Sequence, residues 1–232
     1  MGKFGRKWVS LLLVLALMGS LGRPVRAAEE KYLALTFDDG PSGRFTERLL
    51  QGLEARGAKA TFFLCGYRVE IFPELPKKIL AGGHEIGLHG YSHDPMDRMS
   101  QAVLERELDR TGEILLEATG QRFSLLRPPG GCTTEQVIQA AKDRDLSLVF
   151  WSVDPRDWAT EDRAAIAARV EEKAKDGDVI LLHDMSDSSV DAALSLVDEL
   201  TGRGFRFVTV SELAEKKGLT LTPGGCYYSI PG

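Results

Sequence analysis

The chain has 232 residues, 43% of them hydrophobic and 27% charged, with a formal charge of −5. That length suits one domain with a sizeable core, and the composition excludes a disordered chain. The acidity also argues against nucleic-acid binding, because phosphate recognition rewards clustered Lys and Arg.

Residues 1–28 stand apart. Lys3, Arg6 and Lys7 precede an uncharged apolar stretch from Trp8 to Leu21, followed by Pro24-Val25-Arg26-Ala27-Ala28. A basic start, an apolar middle and small residues at a cut site predict a secretory signal. The stretch is short against the ~20 residues of a membrane span, and an uncleaved anchor through residues 8–21 is the alternative. Residues 1–27 hold five basic residues and no acids, so their removal takes the formal charge from −5 to −10. The expectation is an extracytoplasmic monomer, secreted or anchored, with residues 29–232 as one domain. Export permits one disulfide among Cys65, Cys132 and Cys226, and none of them has metal-finger spacing.

From Lys31 onward short apolar strands alternate with amphipathic helices. The first predicted strand, Tyr32 to Phe37, ends in Asp38-Asp39-Gly40-Pro41. A helical spacing follows over Phe45, Leu49, Leu50 and Leu53, then a second strand at residues 60–65. Residues 72–81 predict a helix with Pro73 and Pro76 in its first turns or kinking it. A weaker third strand covers Glu85 to His89, and a long helix covers about residues 101–118. Strands are expected at 123–126, 146–153, 178–182 and 205–210. The helices between them span about 134–143, 164–174 and 190–200, and Thr133 or Thr134 is the cap of the first. Regular alternation implies parallel pairing, and seven such strands suit a closed or nearly closed β/α barrel better than an open doubly wound sheet. No GxGxxG or GxxxxGK loop appears, so nucleotide binding has no support.

In such barrels chemistry sits at the C-terminal ends of strands. The first strand ends in Asp38 and Asp39, the third in His89-Gly90-Tyr91-Ser92-His93, and the fourth in Arg127-Pro128-Pro129-Gly130-Gly131. The fifth leads to Asp154-Pro155-Arg156-Asp157-Trp158 and the sixth to Leu181-Leu182-His183-Asp184. Two adjacent carboxylates resist joint ionisation unless something uses them, and a cation would relieve the conflict. A solvated Asp-Asp-Gly turn is the plainer alternative for that stretch alone. Two histidines four apart, with one carboxylate from another strand end, leave coordination positions open, as a catalytic metal site does. His84, at the start of its strand, reads as structural.

TFDDGPS, HGYSH, RPPGG, DPRDW and LLH, in this order, resemble the five motifs of the polysaccharide deacetylases, the NodB-homology domain of carbohydrate esterase family 4. The resemblance spans about Leu33 to Val210. It implies a distorted (β/α)7 barrel, TIM-barrel-like, as the catalytic domain over 29–232, and a divalent metal, zinc first and cobalt as alternative. By the same resemblance Asp39, His89 and His93 bind the metal, Asp38 is the general base and His183 the general acid. Arg127 keeps Asp38 ionised, Asp157 orients His183, Trp158 and Leu181 surround the acetyl methyl, and the Gly130 backbone N–H supports the oxyanion. Family members commonly carry Tyr at the position of Gly130, and Ser or Thr at that of Gly90. The implied activity is hydrolysis of N-acetyl groups on N-acetylated cell-wall polysaccharide, most of all peptidoglycan N-acetylglucosamine. The alternatives are a chitooligosaccharide or acetylxylan deacetylase and a catalytically silent glycan-binding module.

Overall fold

The computed structural model describes residues 1–2 and 30–231, so the signal-like stretch lies outside the described residues. No helix among the described residues is long and apolar enough to cross a membrane. The elements run β1 (Lys31–Gly40), α1 (Arg44–Glu54), β2 (Ala60–Leu64), α2 (Gly66–Ile71), α3 (Leu75–Ala81), β3 (Glu85–Leu88), α4 (Gln101–Thr119) and β4 (Leu125–Leu126). They continue with α5 (Glu135–Lys142), β5 (Ser147–Val149), α6 (Arg163–Lys173), β6 (Val179–His183), α7 (Asp187–Gly202), β7 (Phe205–Phe207), α8 (Val210–Lys216) and β8 (Cys226–Tyr227).

Alternation along the strands decides what faces the barrel interior, because successive side chains point to opposite faces. Leu33, Leu35 and Phe37 of β1, Phe62 and Leu64 of β2, and Ile180 and Leu182 of β6 pack outward with the helices. Ala34, Phe63, Leu125, Val149 and Val179 face inward in a second cluster. The same parity carries Thr36, Asp38, His89, Arg127 and His183 to the inside, above those apolar residues.

The ladders are parallel, in the order β6-β1-β2-β3-β4-β5-β8, with β7 beside β1. The ring closes where Val153 bridges Ile180 and the Leu181 N–H donates to the Val153 carbonyl at 3.0 Å. Two departures from a simple seven-strand ring widen its lower end. β7 pairs with Lys31–Leu33 of β1, and Lys59 N–H donates to the Phe207 carbonyl, so β7 lies between β1 and β2 and not between β6 and β1. The tail supplies β8 against β5, and Ser229 bridges Asp178. α8 and Ile230 then plug the opening from below.

Several predicted elements are trimmed. Of the expected helix over 72–81 only α3 forms, starting at Leu75 with Pro76 in its first turn where a missing N–H costs nothing, while the separate helix α2 before Pro73 was not foreseen. Thr134 is the cap of α5 and accepts from Val137 N–H. The predicted last strand stops at Phe207 because Thr209 and Glu212 form a capping box that starts α8 at Val210. No disulfide forms: Cys65 is buried, Cys132 half-buried and Cys226 exposed, each a free thiol.

Candidate active site

Five strand ends bring the site together. Asp38 and His183 are register partners on the adjacent parallel strands β1 and β6, so their side chains stand side by side on the inner face. Leu88 pairs with Leu126, which puts His89 beside Arg127 one residue later. Asp39 would point outward if β1 stayed regular. Instead the register shifts between Phe37 and Gly40, and Asp39 adopts a left-handed φ of 68°. That irregularity turns both consecutive aspartates toward one cavity. His93 has a similar φ of 69°.

Arg127 is fully buried and organises the interior. Its Nη1 donates to Asp38 Oδ1 and to Thr36 Oγ1, each at 2.7 Å. Nε and Nη2 donate to the Val149 and Phe150 carbonyls at 2.9 and 2.8 Å. The Phe63 ring lies under the guanidinium, 4.2 Å from centroid to carbon. A Cβ on Gly87 would sit 2.5 Å from that ring, so only glycine leaves room for it. Burial lowers the Arg127 pKa while Asp38 raises it. A buried guanidinium with a carboxylate partner stays charged, and it holds the Asp38 carboxylate through a charge-assisted hydrogen bond.

Asp39, His89 and His93 offer three donor atoms within 4.8 Å of one another. His89 Nδ1 lies 2.6 Å from the Arg127 carbonyl, which assigns the proton to Nδ1 and leaves a lone pair on Nε2. Nε2 of His89 and of His93 lie 3.3 and 3.0 Å from Asp39 Oδ1. Yet that oxygen is buried without an aligned hydrogen-bond donor. Two nitrogens and an orphaned carboxylate oxygen converging on one point fit a divalent cation with open coordination positions. Burial opposes a charge on Asp39, but the two imidazoles hold it well below the usual carboxylate range. The Asp39 carboxylate, 3.0 Å away, in turn raises His93 against the pull of burial.

On the other side, Asp157 grips His183 twice, accepting from its backbone N–H and lying against Nδ1, both at 2.8 Å. Burial lowers the His183 pKa, but Asp157, Asp38 and Asp39 outweigh it and push the imidazole up to about 9. His183 is therefore a charged acid at neutral pH, with Nδ1 engaged and Nε2 free. His84 behaves otherwise: burial and Lys59 push it down to about 4, and it accepts from Ala60 N–H. It is a structural, neutral imidazole.

A cavity of about 540 Å³ is lined by Asp39, Asp157, Trp158, Glu161, His183, Met185 and the serines that start α7. A larger cavity of about 670 Å³ lies by α8 and the tail and touches none of the strand-end residues. Trp158 is 60% exposed and forms an open wall, whereas Leu181 is 4% exposed on the inner face of β6. Gly130 is exposed with a left-handed φ of 64°, a conformation that disfavours the tyrosine the family resemblance would lead one to expect there. Gly90 also has positive φ, and a Cβ there would meet Met96 Cε at 2.8 Å.

Two residues at the site went unforeseen. Glu107 of α4 accepts from the Tyr91 and Ser92 N–H groups at 2.8 and 2.9 Å, tying down the loop between His89 and His93. The loop that lacks a side chain at Gly90 is thus anchored from a helix. Asp184 is fully buried beneath the Asp-Asp turn, accepts from Thr46 Oγ1, and leaves Oδ1 unpaired. Burial pushes it up to about 6. Its position after His183 was visible in sequence, but its burial was not.

The match to the family model for polysaccharide deacetylases covers residues 26–149. The chain belongs to the polysaccharide deacetylase family, a family of hydrolases. It is 40% identical to a peptidoglycan-N-acetylglucosamine deacetylase of Bacillus cereus, over 81% of this chain and 90% of that one. It is 37% identical to the peptidoglycan-N-acetylmuramic acid deacetylase PdaC of Bacillus subtilis, over 81% of this chain but only 40% of PdaC. The solved PdaC structure superimposes with a TM-score of 0.78 at 36% identity, covering 82% of this chain and 92% of that one. A family 4 acetyl xylan esterase of Clostridium thermocellum, solved with a cobalt ion, gives a TM-score of 0.81 at 32% identity, covering 87% and 100%. The expected barrel class is therefore borne out.

Proposed function

We propose that the protein hydrolyses N-acetyl groups of cell-wall glycan outside the cytoplasm, above all those of peptidoglycan N-acetylglucosamine. The observation that carries this reading is the Asp38–His183 pair on adjacent strands, flanking a three-donor cluster that neither residue joins. The names of the two Bacillus relatives support the choice of glycan. Asp39, His89 and His93 would hold a divalent ion, zinc first and cobalt second, which would lower the pKa of water and polarise the acetyl carbonyl.

Asp38, held in place by Arg127, accepts the proton of the attacking water. As the new C–O bond forms, the carbonyl electrons move onto oxygen, and the Gly130 backbone N–H lends a donor there. Collapse breaks the C–N bond, and the electron pair departs on nitrogen. His183 Nε2 delivers its proton to that nitrogen, giving acetate and a free amine. Asp157 holds the imidazole in register and charged, while Trp158 and Leu181 bound the acetyl methyl.

The test is acetate release from peptidoglycan, from chitooligosaccharide and from acetylxylan. Each is assayed as isolated, after chelation, and after return of zinc or cobalt, with Asp38→Asn alongside. Release that needs both metal and Asp38 supports the mechanism. Release from acetylxylan or chitooligosaccharide alone would move the substrate class. No release from any glycan, with metal bound, would sink the catalytic reading in favour of a silent binding module.

A further inference from the structure

Among the described residues four arginines are buried or half-buried: Arg48, Arg68, Arg127 and Arg144. Three of them have carboxylate partners, Asp187 and Asp191 for Arg48, Asp38 for Arg127 and Asp109 for Arg144. Arg68, in the first turn of α2, has none. Its Nε donates to the hydroxyl of neighbouring Tyr67 at 3.1 Å, and its Nη2 sits 3.5 Å from Met185 Sδ. The Ser42 hydroxyl points at the same sulfur from 2.7 Å. Two strong donors thus share a thioether, a weak acceptor that cannot satisfy a partly desolvated guanidinium.

Met185 is also a wall of the catalytic cavity, beside Asp39, Trp158 and His183. Its unbranched side chain can swing aside at little cost. Behind it stand a guanidinium fork and a hydroxyl suited to an anionic oxygen pair.

We propose that Arg68 and Ser42, gated by Met185, form a carboxylate subsite at the edge of the catalytic cavity. It would read the acid carried by the sugar next to the one being deacetylated. This rests on the peptidoglycan reading and deepens it. Muramic acid residues stripped of their stem peptide carry a free lactyl carboxylate, whereas chitooligosaccharide and xylan backbones offer none at that position. A subsite of this kind lets one cleft prefer alternating acidic glycan over neutral chains.

The experiment measures binding, so it does not depend on turnover. Full-length Asp38→Asn protein loaded with zinc is titrated calorimetrically with peptide-free muramoyl glycan, its carboxyl methyl ester, and chitotetraose. The expected preference for acid over ester is about tenfold, the scale of one charge-assisted hydrogen-bond pair. Arg68→Gln should abolish the preference, and Arg68→Lys should keep part of it. Circular dichroism of both variants checks that they fold. Equal binding of acid and ester, or a preference that survives Arg68→Gln, overturns the subsite while leaving deacetylation untouched. Failure of the protein to bind either muramoyl glycan overturns both the subsite and the choice of peptidoglycan.

Discussion

At the lower end of the barrel the inward side chains are Ala34, Phe63, Leu125, Val149 and Val179, capped by Val208, Val210, Leu213 and Ile230. At the upper end the same strands present Thr36, Asp38, His89, Arg127 and His183, all but the last buried. What separates the two ends is where the rest of the chain enters. α8 and the tail fill the lower opening, while the upper opening meets loops with positive φ at Asp39, His93 and Arg156. The apolar floor is a working part of the polar layer. Phe63 belongs to the lower cluster yet carries the Arg127 guanidinium on its face. A low-dielectric floor strengthens the Arg127–Asp38 attraction above it and raises the cost of leaving either charge alone.

The largest break in this contrast should come from Arg127→Met, which extends the apolar floor upward and strands the Asp38 carboxylate. We expect a loss of about 3–5 kcal/mol in urea unfolding, with activity abolished. Adding Asp38→Asn should recover part of the stability and none of the activity; a stable, active single variant would refute the account.

Next is Asp157→Asn, which removes the main support for charged His183. The imidazole should fall from about 9 toward its ordinary value of 6.5, so at pH 8 the acid form drops from most of the molecules to a few per cent. The alkaline limb of kcat against pH should move down accordingly. The sign for stability follows from the raised folded pKa. Wild-type stabilisation from this pair is present in full below pH 6.5 and is lost as pH rises through about 9, and the variant should lack it. An unmoved alkaline limb would remove His183 from the acid role.

Glu107→Ala should weaken metal binding about tenfold in competition with a chromophoric chelator, the usual scale for residues that orient ligands from behind. The smallest effect belongs to the lower end. Thr209→Ala breaks the capping box of α8 and should cost about 1 kcal/mol, with no shift in the pH profile. A changed pH profile there would show that the two ends are coupled more tightly than their packing implies.

Much of this arrangement was legible from residue order. Polar residues stranded after apolar runs, as in Phe37-Asp38-Asp39 and Leu88-His89, mark strand ends, and parallel alternation collects strand ends on one face. What escaped depends on contacts that local pattern does not encode. β7 reads as an ordinary seventh strand, and only its pairing with Lys31–Leu33 shows that it slips between β1 and β2. The pair Cys226–Tyr227 is too short to read as a strand. Glu107 and Arg68 look like solvated helix residues, because a charged side chain that turns inward leaves no trace in a 3.6-residue period. Asp184 sits beside an expected acid, and nothing in its neighbours forecasts complete burial.

The position of β1 between β6 on one side and β2 and β7 on the other bears on the timing of assembly. The first of the described strands pairs with β6 and β7, whose residues emerge far later, and Ile230 joins the floor later still. Contacts between such distant parts of a chain are slow to form, because the loop entropy must be lost before the pairing repays it. Asp38 and His183 therefore cannot meet on a nascent chain until β6 exists. On the proposed mechanism the centre can form only once β6 has been made, and a fragment ending before β6 is expected to be inert.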